Sequence, residues 1–208
     1  MHLFDSMLSG NCYKVRLLLA QLGLSYRKTE IDVLSSDERP AEFLVRHPNG
    51  KVPLLELDDG RCLAESNAIL WFLADGTSLL PDDPFARTQV LQWMFFEQNS
   101  HEPNIAVARH LVALSANPER YRNIVPYLQQ RGTRALQVMD DHLQKHRFFV
   151  GETYSIADIA LYAYTHVAPE GGFELAHLAA VCGWLERVRQ QPEHVPLEGA
   201  GATGEEDA

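Results

Sequence analysis

The chain opens with a short strand-like run and a polar turn, His2-Leu3-Phe4-Asp5 and then Ser9-Gly10-Asn11. Directly after this turn, apolar residues recur at helical spacing, namely Val15, Leu18, Leu19 and Leu22. Gly23 can end that helix in a left-handed cap, and a second strand-like run follows at residues 26–32. The order strand, helix, strand is a βαβ unit, so the sequence predicts two parallel strands.

A hairpin pattern follows further along the chain. The runs Val52-Pro53-Leu54-Leu55-Glu56-Leu57 and Arg61-Cys62-Leu63-Ala64 flank the turn Asp58-Asp59-Gly60, which predicts two antiparallel strands. A helix is expected over residues 65–74. These patterns together predict a small α/β domain over residues 1–75.

The rest of the chain predicts helices and no convincing strand. Gly76, Pro81 and Pro84 break any helix, so we expect a linker at residues 76–84 and an all-helical domain at 85–197. Residues 198–208 are glycine-rich and acidic without periodicity, which predicts a disordered tail.

Four helices of the second domain have clear patterns, and the last of them has an apolar stripe at Leu175, Leu178, Val181, Leu185 and Val188. A long one is expected over residues 85–114 with a kink at Pro103, and another over 124–145. A third begins at Ser155-Ile156-Ala157-Asp158, a variant of the capping box to which we assign a structural role.

Composition excludes several classes of function. Lysine and arginine number 18 against 28 aspartates and glutamates, and this formal charge of −10 argues against binding to nucleic acid or to an anionic membrane. No stretch approaches the roughly 20 apolar residues of a membrane-spanning helix. Cysteines at 12, 62 and 182 have no disulfide or zinc spacing, and the first residues lack a secretory signal. We expect a cytoplasmic protein in a reducing compartment, without a metal.

Three segments resemble a known family. Cytosolic glutathione transferases have similar stretches in their amino-terminal domain, here Ser9-Gly10-Asn11-Cys12-Tyr13-Lys14-Val15-Arg16, Asn49-Gly50-Lys51-Val52-Pro53 and Glu65-Ser66. The helical half is similar to their carboxy-terminal domain. The resemblance implies a thioredoxin-like α/β domain followed by an all-α domain, glutathione as co-substrate, and a homodimer. No tyrosine lies in the opening strand and turn, so the chain looks closer to serine-type and asparagine-type bacterial branches.

The resemblance implies a glutathione site around the hairpin. A cis Val52-Pro53 bond would turn the backbone of Val52 outward to pair with the tripeptide, whereas a trans proline would only open an edge strand. Glu65 and Ser66 are expected to hold the γ-glutamyl end at a helix start, and Ser66 can also cap that helix.

Basic residues near the hairpin are candidates for binding the glycine carboxylate of glutathione. Lys51 is the first candidate. Arg39 and His47 are weaker ones, because solvated surface charge explains them equally well.

The turn before the first helix holds the candidates for the chemistry. Ser9 stands where redox relatives have their attacking cysteine, and its hydroxyl can donate a hydrogen bond to a thiolate and lower the pKa of a bound thiol. The amide of Asn11 can donate to the same charge, so the two residues are alternatives or partners. Cys12 is expected to be a packing residue in the first turn.

Residues of the second domain suggest less. Several aromatic side chains are candidates for an electrophile pocket but fit a core equally well, namely Trp93, Phe95, Phe96, Tyr121 and Tyr127. Four residues resemble a metal-binding row only superficially, since they diverge around a helix, namely Glu97, His101, Glu102 and His110. We expect these four on a solvated or dimer-facing surface.

Three hypotheses for function follow. The first is a glutathione transferase that activates the thiol for attack on a small electrophile. The second is a glutathione-dependent reductase of disulfides or peroxides. The third is a non-catalytic module of the same fold that binds a protein partner.

Overall fold

The computed structural model describes residues 1–33 and 39–197. A four-stranded sheet is formed by β1 (His2–Asp5), β2 (Arg27–Glu30), β3 (Leu54–Glu56) and β4 (Cys62–Ala64), in the order β2-β1-β3-β4. β1 pairs in parallel with β2, and the pairs β1–β3 and β3–β4 are antiparallel. The predicted βαβ unit and hairpin are confirmed, with strands shorter than the patterns suggested.

Three helices cover the two faces of this sheet. They are α1 (Gly10–Gln21), α2 (Ala41–Arg46) and α3 (Ser66–Ala74). Since successive strand residues point to opposite faces, neighbouring residues enter different cores. Leu3 packs with residues of α1 and α3, whereas Phe4 packs with Phe43 of α2. Gly23 has a φ of 64° and follows α1 as the predicted left-handed cap.

The second half of the chain is helical. Its helices are α4 (Pro84–Phe96), α5 (Glu102–Arg109), α6 (Val125–Leu143), α7 (Ile156–Thr165) and α8 (Ala179–Arg189). A π-helical turn, Glu97–His101, joins α4 to α5, and its last hydrogen bond runs from the N–H of Glu102 to the carbonyl of Glu97. This irregular turn ends two residues before Pro103, where the kink was predicted. The predicted linker contains turns and the first residue of α4, and the division of the chain there stays a prediction.

The two halves meet along α1, which packs against α3 on one side and α7 on the other. Large apolar side chains of α1, including Tyr13, Leu17 and Leu18, are buried in the core that α7 shares. The predicted capping box is confirmed at the start of α7, where Ser155 and Asp158 bond each other's backbone. The first turn of α1 therefore lies at the junction of the two halves. The predicted tail lies outside the described residues.

Candidate active site

Two buried arginines hold the turn between β1 and α1. Arg16 donates from Nη1 to Asp5 Oδ1 at 2.6 Å and from Nη2 to the carbonyl of Met7 at 2.8 Å. Arg109 of α5 donates from Nη1 to the carbonyl of Leu8 at 2.7 Å. Because charge-assisted hydrogen bonds are short and strong, they fix the path by which the chain enters α1.

Asn11 lies in the first turn of α1, and both its amide oxygen and its amide nitrogen make hydrogen bonds. Its Oδ1 accepts from Lys14 Nζ at 2.9 Å and from Ser66 Oγ at 3.1 Å. Its Nδ2 donates to Glu102 Oε1 at 3.3 Å, and its backbone N–H donates to the hydroxyl of Tyr164 at 3.2 Å. An ammonium group can only donate, so the contact with Lys14 settles which end of the amide is the oxygen.

A polar cleft of about 150 Å³ opens beside Asn11. Its walls are formed by Asn11, His47, Lys51, Val52, Pro53, Glu65, Ser66, Gln98 and Glu102. The fold therefore brings together all the site residues predicted from the sequence except Ser9 and Arg39. It adds Gln98 and Glu102 from the second half of the chain.

Val52 presents its backbone at one wall of the cleft. The Val52-Pro53 bond is cis, as the resemblance implied. Neither the N–H nor the C=O of Val52 makes a hydrogen bond to another described residue. The half-buried residue thus offers one donor and one acceptor to an extended peptide.

Glu65 and Ser66 line the same cleft at the start of α3. Glu65 has a φ of 66°, a left-handed conformation that costs about 1–3 kcal/mol for a residue other than glycine. No side chain caps α3, so the predicted capping role of Ser66 is wrong. The buried Ser66 is the first residue of the helix and its hydroxyl donates to Asn11 instead. The first N–H groups of α3 remain available to an anion.

Charges of both signs face the cleft. Lys51 and Glu65 are exposed, and Glu102 is half-buried. Burial raises the pKa of Glu102, and the nearby Glu97 carboxylate adds to the effect, while Lys14, Asn11 and Lys51 oppose it. A zwitterionic ligand with separated charges suits this arrangement better than a simple anion.

Ser9 faces a neighbouring cleft. It is the N-cap of α1, and its Oγ accepts from the N–H of Cys12 at 3.3 Å. This second cleft also has a volume of about 150 Å³ and is lined by Ser6, Leu8, Ser9, Val33, Ala106, Arg109, His110, Leu114 and Tyr164. Ser9 and Asn11 therefore stand on different sides of the same helix start.

Arg39 is not among the described residues that line the polar cleft. Its Nε donates to the carbonyl of Gly50 at 3.1 Å, and its Nη1 donates to the carbonyl of Asp32 at 3.2 Å. These contacts brace the loop that carries Lys51. His47, in contrast, lines the cleft.

Cys12 is a packing residue, as predicted. Its side chain is fully buried, and its Sγ accepts from the N–H of Ser6 at 3.3 Å. Burial, followed by the charge of Asp5, raises the pKa of the Cys12 thiol. Only a thiolate is a good nucleophile, so this thiol is unsuited to attack at neutral pH.

Sequence reasoning missed an ion pair beneath the cleft. Lys14 Nζ lies 2.9 Å from Glu97 Oε1, and both side chains are fully buried. Glu97 Oε2 accepts from Asn67 at 3.0 Å and from Gln98 at 2.8 Å. The expectation that Glu97 lies on a solvated or dimer-facing surface is therefore wrong, and no local signal distinguishes it from an exposed glutamate.

His101 is also buried rather than solvated. The Thr165 hydroxyl donates its hydrogen bond to the carbonyl of Leu161, so His101 Nε2 is the donor in its 2.8 Å contact with Thr165 Oγ1. Burial lowers the pKa of His101 to about 4. His110, by contrast, is exposed, as expected. The described residues contain no group of three or more histidines, cysteines and acidic residues arranged to hold a metal ion.

The aromatic candidates divide between core and surface. Trp93 packs against Phe149 with ring centroids 4.6 Å apart and the rings tilted by 55°, and it belongs to the core. Phe95 and Tyr127 are exposed by 63% and 57%, and they line neither the polar cleft nor the neighbouring cleft at Ser9. Within the described ranges, no helix has the length and apolar character needed to cross a membrane.

Two models of one protein family match this chain. Residues 8–75 match the model described as "Glutathione S-transferase, N-terminal domain", and residues 104–192 match "Glutathione S-transferase, C-terminal domain". A solved glutathione S-transferase from Pseudomonas fluorescens Pf-5 is similar with a TM-score of 0.92 and 53% identity, over 95% of this chain and 98% of that one.

Two further relatives carry different descriptions. The disulfide-bond oxidoreductase YfcG of Escherichia coli K12 is 31% identical over 88% of this chain and 87% of its own. Ure2p, solved in complex with glutathione, is 25% identical with a TM-score of 0.82, over 92% of this chain and 95% of that one. With both domain models matched in order and the fold shared along nearly the whole chain, this protein belongs to the glutathione S-transferase family.

Proposed function

We propose that the polar cleft binds glutathione and that the protein is a glutathione transferase. The observation that carries the proposal is the convergence, in one cleft, of a free backbone edge at Val52, a helix start at Ser66 and an amide donor at Asn11. Glutathione has a peptide backbone that can pair with the edge at Val52, an amino-acid end that can bind at the helix start, and a thiol that can accept from the Asn11 amide. The complex of the relative Ure2p with glutathione supports the choice of ligand.

The charges of the cleft suggest how the ligand is oriented. The γ-glutamyl carboxylate meets the N–H groups that begin α3, and its ammonium meets the Glu65 or Glu102 carboxylate. Lys51 pairs with the glycine carboxylate at the other end. Arg39 contributes by holding the loop of Lys51 rather than by touching the ligand.

Asn11 is the better candidate for the thiolate donor. It lines the cleft that holds the backbone edge and the helix start, whereas Ser9 lines the neighbouring one. One N–H of its amide bonds Glu102, and the other has no partner among the described residues. That N–H donates to the sulfur, stabilises the thiolate and so favours loss of the thiol proton to solvent.

The neighbouring cleft is the candidate site for the electrophile. Its walls are partly apolar, with Leu8, Val33 and Leu114, and it begins at Ser9, two residues from the thiolate donor. The thiolate attacks an electrophilic carbon, a carbon–sulfur bond forms, and the leaving group departs with its electron pair.

Conjugation of a chloronitrobenzene tests the proposal. Asn11→Ala should lower kcat/KM by about tenfold or more, because a donor to a developing charge is lost. Ser9→Ala should cost less, and Asn123→Ala, an exposed asparagine, is the control. Tight glutathione binding without turnover would instead support a non-catalytic binding module, and unchanged rates in Ser9→Ala, Asn11→Ala and the double variant would reject the assignment of both donors.

Disulfide reduction is the second candidate, and the similarity to a disulfide-bond oxidoreductase favours it. The same thiolate would attack a disulfide sulfur and release one thiolate, and a second glutathione would release the other as oxidised glutathione forms. The buried Cys12 takes no part. Comparing turnover of a small dialkyl disulfide with that of the chloronitrobenzene decides between the two reactions.

We also propose that the protein forms a homodimer. An apolar cavity of about 380 Å³ lies between α3 and α4, lined by Asn67, Ala68, Trp71, Leu91, Met94, Phe95 and Gln98. Phe95 is 63% exposed there, and Phe72 of α3 is 46% exposed. A second copy of the chain would cover this face. Light scattering should show a dimer that Phe95→Glu weakens, while Phe85→Glu, exposed at the start of α4, leaves it intact.

The cytoplasm remains the proposed location. The three cysteines are unpaired, and such free thiols suit a reducing compartment.

A further inference from the structure

Lys14 has a role that neither the resemblance nor the proposed function assigns. It lies one helical turn after Asn11 on the same face of α1, and its side chain has no exposed surface. A buried ammonium group loses its hydration, so it needs partners for its protons. Lys14 has three: Asn11 Oδ1 at 2.9 Å, Glu97 Oε1 at 2.9 Å and Ser66 Oγ at 3.5 Å.

These contacts determine the orientation of the Asn11 amide. Its Oδ1 accepts two hydrogen bonds, from Lys14 and from Ser66 Oγ, and so has both lone pairs engaged. Rotating the amide by half a turn would place its NH₂ group against the ammonium, which has no acceptor. The Nδ2 atom must therefore point away from Lys14, towards Glu102 and the cleft.

The charge of Lys14 is matched locally. The Glu97 carboxylate lies 2.9 Å away and is itself fixed by Asn67 and Gln98. A buried ion pair is seldom a net source of stability, because removing both charges from water costs about as much as their attraction returns. Stability alone therefore does not account for a fully buried lysine beside the cleft.

We propose that Lys14 is a positioning residue, which holds the Asn11 amide so that its free N–H faces the sulfur of the bound thiol. This inference rests on the proposed function, since it concerns the same thiol. Lys14 acts through the amide and not through its own charge, which Glu97 neutralises. The ion pair also ties the amide to the π-helical turn of the second domain, so both domains set the geometry at the sulfur.

The test is the pKa of glutathione bound to the protein, followed by the ultraviolet absorbance of its thiolate. In the wild type this pKa should lie below the value of about 8.5 for a free thiol. Lys14→Met should raise it by about one unit, which is roughly tenfold less thiolate at a given pH below it. Lys145→Met, at an exposed lysine, is the matched control and should leave it unchanged.

A second variant covers the case in which Lys14→Met leaves Glu97 unpaired and the protein unfolds. Lys14→Met/Glu97→Gln removes both charges together, and we expect the same rise in the thiol pKa. The decisive comparison repeats this substitution in an Asn11→Ala background. There the thiol pKa should already be high, and removing Lys14 should raise it no further.

Each other outcome overturns the inference. A rise that persists in the Asn11→Ala background would mean that Lys14 acts through its charge. A lower melting temperature with an unchanged thiol pKa would mean a structural role alone. If the thiol pKa of glutathione bound to the wild type equals that of free glutathione, the proposed function fails and this inference fails with it. If the thiol pKa is lowered in the wild type and equally lowered in the Lys14 variants, only the inference is rejected.

Discussion

Gly10 and Tyr164 meet at a point where only a glycine fits. A Cβ atom on Gly10 would lie 2.5 Å from the ring carbon Cε1 of Tyr164 and 2.6 Å from Cζ. The same ring carries the hydroxyl that accepts the backbone N–H of Asn11 at 3.2 Å. The close contact between α1 and α7 thus fixes the position of the Asn11 backbone.

Gly10→Ala should therefore damage both stability and activity. A methyl group at that distance forces α1 away from the buried ring, which typically costs about 1–3 kcal/mol, and it displaces Asn11 from the cleft. Urea unfolding and conjugation rates measure the two effects. Gly183→Ala in α8 is the matched control, because its Cβ would meet only the end of the long Arg187 side chain, at 3.3 Å from Nη1, and this variant should gain up to about 1 kcal/mol. Equal stabilities of the two variants would contradict the packing argument.

Glu102→Gln should make the bound thiol more acidic while weakening glutathione binding. The carboxylate accepts from Asn11 Nδ2 at 3.3 Å, so its negative charge lies close to the developing thiolate and opposes it. Glutamine keeps the acceptor and removes the charge, and a fall of about half a unit in the thiol pKa is expected. The same change removes a partner of the ligand's ammonium and should raise KM for glutathione. Glu119→Gln, at an exposed position, should alter neither value.

His101 should make the protein sensitive to acid. Burial lowers its pKa from 6.5 to about 4, so the unfolded chain binds a proton in this range that the folded protein does not. The contribution of neutral His101 to the free energy of unfolding is therefore present above pH 6.5 and is lost as the pH falls towards 4. The free energy of unfolding should fall by about 2 kcal/mol between about pH 7 and about pH 5.

His101→Gln isolates that contribution. Glutamine can still donate to Thr165 Oγ1, but it has no proton to gain, so unfolding free energies of the variant should fall less between about pH 7 and about pH 5. Other histidines with a lowered pKa, such as the half-buried His166, remain in both proteins, and their effect cancels in the difference. Parallel pH profiles would show that His101 does not carry this loss.

Local patterns predicted those parts of the fold and the site that depend on neighbours in sequence. The helical spacing after Asn11, the left-handed Gly23 and the Ser155 capping box all follow from residues a few positions apart. The resemblance then named residues that the fold gathers in the polar cleft, such as Val52 and Glu65.

The ion pair could not be predicted in this way, since its partners are 83 positions apart. Lys14 on α1 and Glu97 in the π-helical turn each look like a solvated charge until the two domains pack together. The error over Ser66 has the same origin. An isolated serine at a helix start favours a cap, but in the fold its hydroxyl donates a hydrogen bond to Asn11, which is 55 positions away.

Asp158 should be the residue whose loss most destabilises the second domain without touching the site. Its buried carboxylate accepts from the N–H of Phe149 at 3.2 Å, from the N–H of Ser155 at 2.9 Å and from Trp184 Nε1 at 2.9 Å. Asp158→Ala leaves these donors buried without a partner, and the free energy of unfolding should fall by at least about 3 kcal/mol.

Ser155→Ala removes only one side of the capping box and should cost about 1 kcal/mol. Asp141→Ala, at an exposed aspartate of α6, should stay within about 0.5 kcal/mol of wild type. Since Ser155 Oγ also donates to Asp158 Oδ2 at 3.2 Å, the double variant should lose less than the sum of the single losses. Urea unfolding of the wild type, the two single variants Asp158→Ala and Ser155→Ala and their double variant checks this, and strict additivity would mean that the two side chains stabilise α7 independently.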